Sequence, residues 1–310
     1  MAKKPLPNSS TFTAMSSAAQ HLDTDYLILG AGAMGMAFAD VIIDEDPTAR
    51  IVIVDRHANP GGHWTDVYPF VRLHQPAEFY GLNSTPLGHG GADLSSGAEI
   101  VAYFRRAMDR FLATGRVRFL PMSEHHGDGR IVSTVDRDRV TTVTAARRIV
   151  DATFMNVTVP SMCPPRYTVD PGVTLIPPNG LAKVGHPPQR YVVIGAGKTG
   201  MDAILFLLDN GVAPERIQWV VSHDAWLLDR GAMQPGIVLD SVVRMVRGLV
   251  DATDIDDVFL RLERDGVLFR LDTATLPTKW RCATVDRPEL SRLRRVDDVV
   301  RMGRVQRIGA

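Results

Sequence analysis

The chain has 310 residues, 45% of them hydrophobic and 23% charged, which supports a sizeable core and suits an ordinary globular enzyme. Thirty-five basic residues balance thirty-five acidic ones, so no global field recruits nucleic acid or a membrane surface. The two cysteines, Cys163 and Cys282, form no C-x-x-C pair, which excludes a dithiol redox centre and a cysteine zinc finger and points to a cytoplasmic setting. No run approaches the ~20 apolar residues that span a bilayer.

Residues 1–24 are rich in Ser, Thr and Ala, begin with Lys3-Lys4 and lack an apolar stretch of signal-peptide length; they read as a mobile tail. The apolar run Tyr26-Leu27-Ile28-Leu29 then meets Gly30-Ala31-Gly32-Ala33-Met34-Gly35, a strand turning through glycines into a helix over roughly Met34 to Asp44. Ile51–Val54 is a second buried strand, and Asp55 at its end falls where an acid reaches the ribose of a bound adenosine. Ser96-x-x-Glu99 is a capping box, and Ile100, Tyr103, Phe104, Ala107 and Phe111 carry helical spacing to about Thr114. Val117–Leu120, Arg130–Val135 and Val140–Thr144, with turns at Gly127-Asp128-Gly129 and Asp136-Arg137-Asp138, predict an antiparallel meander. Arg148–Thr153 predicts a final buried strand.

Residues 161–189 are proline-rich and read as a linker. Tyr191–Ile194 then leads into Gly195-Ala196-Gly197-Lys198-Thr199-Gly200, and a further strand is expected at Ile217–Val221. Ile237, Val238, Val242, Met245, Val246, Leu249 and Val250 predict a helix, with another at Val258–Leu262. Pro288–Arg294 predicts a short helix and Val299–Ile308 a strand. The late arginines, interleaved with Asp286, Glu289, Asp297 and Asp298, read as a solvated surface.

Two G-x-G-x-x-G loops, each behind a strand and ahead of a helix, imply two bound dinucleotides, since helix N-terminal amides and dipole suit a pyrophosphate. The usual reason to hold two is hydride transfer from a nicotinamide to a flavin. The expected fold is α/β, with two Rossmann-like dinucleotide-binding domains built on parallel sheets, one carrying the antiparallel β-meander. The second is expected to be inserted in the first: 25–160 for FAD, 190–285 for NAD(P) with a helical extension, and 286–310 returning to the first but ending short. A missing closing strand predicts weak FAD retention, leakage of reducing equivalents to hydrogen peroxide, and a homodimer as the way to cover the exposed edge. A phosphate-loop NTPase fails because Val192 stands where its first glycine belongs, and no G-x-S-x-G elbow marks a hydrolase. His125-His126 lies in an expected turn without further ligands at zinc spacing, so no metal site is expected.

After Asp55 come Arg56, Gly61-Gly62-His63-Trp64 and Tyr68-Pro69, and later Asp151-Ala152-Thr153. With both glycine loops, the chain resembles the flavin-containing and Baeyer–Villiger monooxygenases over residues 25–225. The resemblance implies FAD contacts at Gly30, Gly32, Ala33, Met34, Gly35, Asp55, Arg56, Gly62, His63, Trp64, Arg72, Ala152 and Thr153. It implies nicotinamide-dinucleotide contacts at Gly195, Gly197, Lys198, Thr199, Gly200 and His223. The activity implied is NAD(P)H-driven oxygenation of a small organic substrate through a (hydro)peroxyflavin. A reductase or oxidase without oxygenation, and a truncated, catalytically weak dinucleotide-binding sensor, are the alternatives.

Three positions depart from the family. No F-x-G-x-x-x-H stretch precedes the second loop. Leu73-His74-Gln75 stands where Asn or Asp is common, which makes His74 and Gln75 the candidate catalytic pair, His74 being otherwise a structural hydrogen bonder. The second unit shows Ser222-His223-Asp224 where an arginine grips the NADPH 2′-phosphate, so NADH is an alternative to NADPH; Lys198 and Arg230 are other candidate readers.

Overall fold

A computed structural model of the chain describes residues 20–91, 93–154 and 162–309. The first unit runs β1 (Gln20–Leu29), α1 (Ala33–Glu45), β2 (Ile51–Val54), α2 (Gly97–Ala113), β3 (Val117–Leu120), β4 (Ser123–His125), β5 (Arg130–Ser133) and β6 (Val140–Asp151). Its six strands are ordered β3-β2-β1-β6-β5-β4. β1, β2, β3 and β6 pair in parallel, and β4, β5 and the start of β6 are antiparallel.

Alternation along the strands decides its two cores. Ile28, Ile51 and Ile53 face α1 and α2, where Met36, Ile100, Phe104, Ala107 and Phe111 close the layer. Leu27, Val52 and Val54 face the other way, against Ile131 and Val143. Burying a side chain of this size contributes about 1.5–3 kcal/mol each. The Ser96 capping box forms as expected: the Ser96 hydroxyl accepts from the Glu99 amide at 3.3 Å, and the Glu99 carboxylate accepts from the Ser96 amide at 2.7 Å.

Four sequence expectations change here. Residues 20–24 are not tail but the start of β1, because Gln20–Thr24 find partners in Thr141–Ala145, over a hundred positions away. Residues 1–19 lie outside the described residues. Val117–Leu120 is not part of a meander but a parallel edge strand on β2; the antiparallel hairpin is completed by β4 instead. Val140–Thr144 and Arg148–Asp151 are one continuous strand, since no turn-forming residue interrupts Ala145–Arg147. Its last turn-ward half is not buried: Arg147 and Arg148 are exposed and Ile149 is 47% exposed.

The proline-rich segment is more ordered than a plain linker, carrying β7 (Thr168–Val169) and α3 (Pro178–Leu181). Then follow β8 (Tyr191–Ile194), α4 (Lys198–Asp209), β9 (Ile217–Val220), β10 (Ala225–Asp229), α5 (Val238–Val250), α6 (Ile255–Arg264), β11 (Leu268–Phe269), β12 (Lys279–Val285), α7 (Arg287–Leu293), β13 (Val299–Val300) and β14 (Arg307–Ile308). The second sheet is β13-β9-β8, all parallel, and a third is β11-β10-β12. Met201, Ile204, Trp219, Leu290 and Leu293 fill the space between α4, α7 and the second sheet. Trp226, Leu228, Val258 and Leu262 pack α6 on the third. α5 forms where expected but buries only Ser241 and Gly248, leaving Leu239, Val246, Leu249 and Val250 exposed.

Among the described residues, no strand of 286–310 joins the first sheet, contrary to the expected return. Val299–Val300 pair with Trp219–Val220, and Arg307–Ile308 pair with Thr168–Val169. The expected single strand over 299–308 is broken at the Gly303 turn, where φ is +80°.

Candidate functional site

The two glycine loops are conformational copies. Gly30 and Gly195 take φ of +99° and +111°, values that side-chain-bearing residues rarely adopt. A Cβ on Gly35 would lie 1.9 Å from the Gly30 carbonyl oxygen, and one on Gly200 would lie 2.1 Å from that of Gly195. Gly32 and Gly197 cap α1 and α4 in extended conformation without any side-chain hydrogen bond to the first turn. Both helices therefore begin with amides that no cap occupies, the feature that suits a pyrophosphate.

The first loop is walled on two sides. Gly61 donates its amide to the Ala31 carbonyl at 2.8 Å, and Gly62, at φ +57°, packs so that its own Cβ would fall 2.9 Å from Gly32 Cα. Opposite, Ala152 donates to Leu29 O at 2.9 Å and the Thr153 methyl group abuts Gly30. The Thr153 amide and hydroxyl both donate to Asp151, at 2.8 and 2.6 Å, which holds that carboxyl below its usual range. Ala33 and Met34 remain open, Met34 71% exposed, and Arg56 and His63 are exposed; Arg72 is also exposed but donates its guanidinium to the Leu94 carbonyl at 2.8 Å. Trp64 leans half-buried on the first core.

Asp55 is placed at the end of β2 as expected, but its carboxylate is already engaged. It is 5% exposed and accepts from the Ala31 amide at 2.6 Å and from the His57 amide and ring at 2.8 Å. His57 continues to Asp66 at 2.9 Å. Asp55 thus shapes the loop from beneath, and a ribose at this edge would share it with Ala31 and His57. Sequence reading missed His57, for which residue spacing offers no signal.

The second loop is open: a Cβ on Gly195 or Gly197 would meet nothing within 4 Å. The Trp219 indole fixes it from below, donating to the Gly195 carbonyl at 2.9 Å. Thr199 is exposed, but Lys198 is neither solvent-exposed nor free: it pairs with Asp202 one turn along α4. Asp202 also accepts from the Tyr68 hydroxyl at 2.7 Å, joining the Tyr68-Pro69 segment to α4. Burial, reinforced by the Asp202 charge, pushes the Tyr68 phenol above its usual range.

His74 and Gln75 lie at this junction. Burial, then the Lys198 cation, and more weakly Arg230 against the opposing pull of Asp202, drop the His74 imidazole to about 4. The His74 carbonyl accepts from Arg230 Nε at 2.8 Å and from the Thr284 hydroxyl at 2.7 Å. Gln75 accepts from the Tyr80 hydroxyl at 3.1 Å. Arg230 is 3% exposed and held by Asp286 at 3.1 Å and Glu289 at 2.8 Å, so it is a structural tie and not a free phosphate reader. Next to it a cleft of about 380 Å³ opens between the units, lined by Phe70, Arg72, Lys198, Asp202, Glu289 and Arg292. Phe70 stacks on Phe206 across it, ring centres 4.2 Å apart. Sequence reading missed Asp202, for which the i+4 spacing from Lys198 was the available signal.

His223 is exposed beyond β9, while Asp224 is buried and bonded to Arg301. His125 accepts from the Gly129 amide at 3.3 Å within its hairpin. Among the described residues, no three His, Cys, Asp or Glu side chains are grouped to hold a metal, and no helix is long and apolar enough to cross a membrane.

No protein-family model matches the chain. Uncharacterized proteins of Mycobacterium tuberculosis and Mycobacterium bovis are each 48% identical over 306 residues, covering 94% of this chain and 56% of theirs. The chain therefore spans just over half the length of these relatives. The FAD-containing monooxygenase EthA of Mycolicibacterium smegmatis is 25% identical over 209 residues, 61% of this chain and 40% of EthA. Among solved structures, an oxidized steroid monooxygenase bound to NADP is similar at TM-score 0.51 and 15% identity, covering 91% of this chain and 65% of that one. OTEMO in complex with FAD and NADP is similar at TM-score 0.50 and 17% identity, covering 90% and 65%. At these identities the likeness is one of fold: a mixed α/β, Rossmann-like architecture of the flavin monooxygenase type.

Proposed function

We propose that this chain binds FAD at the Gly30–Gly35 loop and a nicotinamide dinucleotide at the Gly195–Gly200 loop, and acts as an oxidoreductase of the flavin monooxygenase type on a small organic substrate. The observation that carries the reading is the duplicated loop, with uncapped helix amides at both sites and no room for a side chain at Gly35 or Gly200. Support for the cofactor identities comes from relatives: EthA is an FAD-containing monooxygenase, and OTEMO was solved with FAD and NADP.

When bound, the nicotinamide supplies a hydride and the flavin accepts it and passes electrons on. The protein's share is binding, orientation and exclusion of water. The first-turn amides of α1 and α4 would hold the two pyrophosphates, and Gly61 and Gly62 close the first loop without side chains. Arg56, next to the Asp55 that holds the loop at Ala31, offers a cation on the FAD side. The Tyr68–Asp202–Lys198 chain sets the first unit against α4, and the Phe70–Phe206 stack adds an apolar contact at the same junction. His74, neutral at pH 7, is suited to hydrogen bonding and not to carrying charge.

The test is the absorption spectrum of the purified chain reconstituted with FAD, before and after anaerobic NADPH. A protein-bound flavin band that bleaches on NADPH addition supports the reading, and a chain that retains no flavin overturns it. An oxygenated product marks a monooxygenase, hydrogen peroxide alone a reductase or oxidase, and bleaching without turnover a sensor.

A further inference from the structure

Strands β8, β9 and β13 are parallel neighbours, so Gly195, Val221 and Arg301 leave one edge of the second sheet. This is the carboxyl edge at which open parallel sheets take dinucleotides. Gly195 donates its amide to Val220 O and Val221 to Val300 O, both at 2.9 Å, which sets the three strand exits level. There Arg301 grips Asp224 through two bonds, Nε to Oδ2 at 2.9 Å and Nη2 to Oδ1 at 3.4 Å. Nη2 also lies 3.5 Å from Asp272 Oδ2. The Asp224 residue is 8% exposed, whereas the Arg301 side chain keeps 29% of its surface.

An acid just beyond the second strand of such a unit ordinarily accepts the ribose hydroxyls of a nucleotide lacking the 2′-phosphate. Asp224 stands in that place but both of its oxygens are taken by a guanidinium. All three cations considered for the 2′-phosphate are paired with carboxylates, but Arg301 keeps the most open surface, 29% of its side chain against 14% for Lys198 and 3% for Arg230. Arginine carries five N–H donors in a planar fork, so a pairing through Nε and Nη2 leaves donors for a second anion.

We propose that Arg301 determines nucleotide preference: it withdraws Asp224 from the ribose and presents its exposed edge to the 2′-phosphate, favouring NADPH over NADH. This rests on the nicotinamide reading above. The residue lies 77 positions from its partner on a strand that sequence reading assigned to the other unit.

Dissociation constants for NADPH and NADH, measured by calorimetry on the whole chain, test it, with circular dichroism to confirm that each variant is folded. The wild type binds NADPH more tightly. Arg301→Met weakens NADPH about tenfold and tightens NADH, because Asp224 is released to the ribose. Asp224→Asn, which leaves the strand exit isosteric and frees Arg301, strengthens NADPH binding. A folded Arg301→Met with the wild-type ratio overturns the assignment, as does weaker NADPH binding by Asp224→Asn. A wild type that prefers NADH overturns it while leaving the nicotinamide reading intact. A wild type that binds neither overturns both.

Discussion

The carbonyl oxygen of Gly30 occupies the space a side chain at Gly35 would need, 1.9 Å from the would-be Cβ, and Gly195 stands to Gly200 in the same relation at 2.1 Å. In each loop the third glycine thus serves the turn itself, and the second glycine the ligand. Gly200→Ala forces backbone against backbone and should cost on the order of 3 kcal/mol in chemical denaturation. Gly197→Val, at a position where a Cβ would meet nothing within 4 Å, should leave stability nearly unchanged and abolish NADPH binding in calorimetry. Equal loss of stability in both variants would contradict the division of roles.

The first loop separates in a different way. A Cβ on Gly32 would lie 3.5 Å from Gly62 Cα, an ordinary contact, so Gly32→Ala should fold with wild-type Tm and lose retained flavin. Gly62→Ala meets a 2.9 Å approach at φ +57° and should lower stability by about 1–2 kcal/mol even without flavin. Thermal melts of the flavin-free proteins, followed by flavin content after reconstitution, distinguish the two.

The Tyr68–Asp202–Lys198 chain should appear in stability as well as in binding. Tyr68→Phe removes one hydrogen bond to a carboxylate and should cost about 1.5–3 kcal/mol. Lys198→Met strands a buried carboxylate and should cost more, about 3–5 kcal/mol. Urea denaturation gives both values. If Lys198 served only a phosphate, its loss would weaken NADPH binding and leave the midpoint where it was.

His74 makes stability depend on pH in a definite direction. Its imidazole falls from an ordinary 6.5 to about 4 on folding, so between these values the unfolded chain binds a proton that the folded chain refuses. Stability from this group is full above pH 6.5 and declines as pH falls toward 4. Because carboxylates contribute over the same range, the measurement is the difference between wild type and His74→Gln in urea midpoints from pH 4 to 7.5. That difference should shrink with acidification, and a flat difference would place His74 in solvent.

Both glycine loops, the strands leading into them and the Ser96 capping box were legible in the sequence because each is set by neighbours within a few residues. Glycine spacing permits a positive φ and a close approach whatever surrounds it, and a buried strand announces itself by its own apolar run. What the tertiary structure alone decided is whom these elements meet. Gln20–Thr24 became strand because Thr141–Ala145 lie beside them, and Val299–Val300 joined β9 rather than the first sheet. The same holds for the site: Asp55 is occupied by Ala31 and His57, Asp224 by Arg301, and the His74 carbonyl by Arg230, 156 positions away. Charge and hydrogen-bond satisfaction are settled through space, so a residue's type and place in a motif determine what it can offer, and only its packed neighbours determine whether that offer is still open.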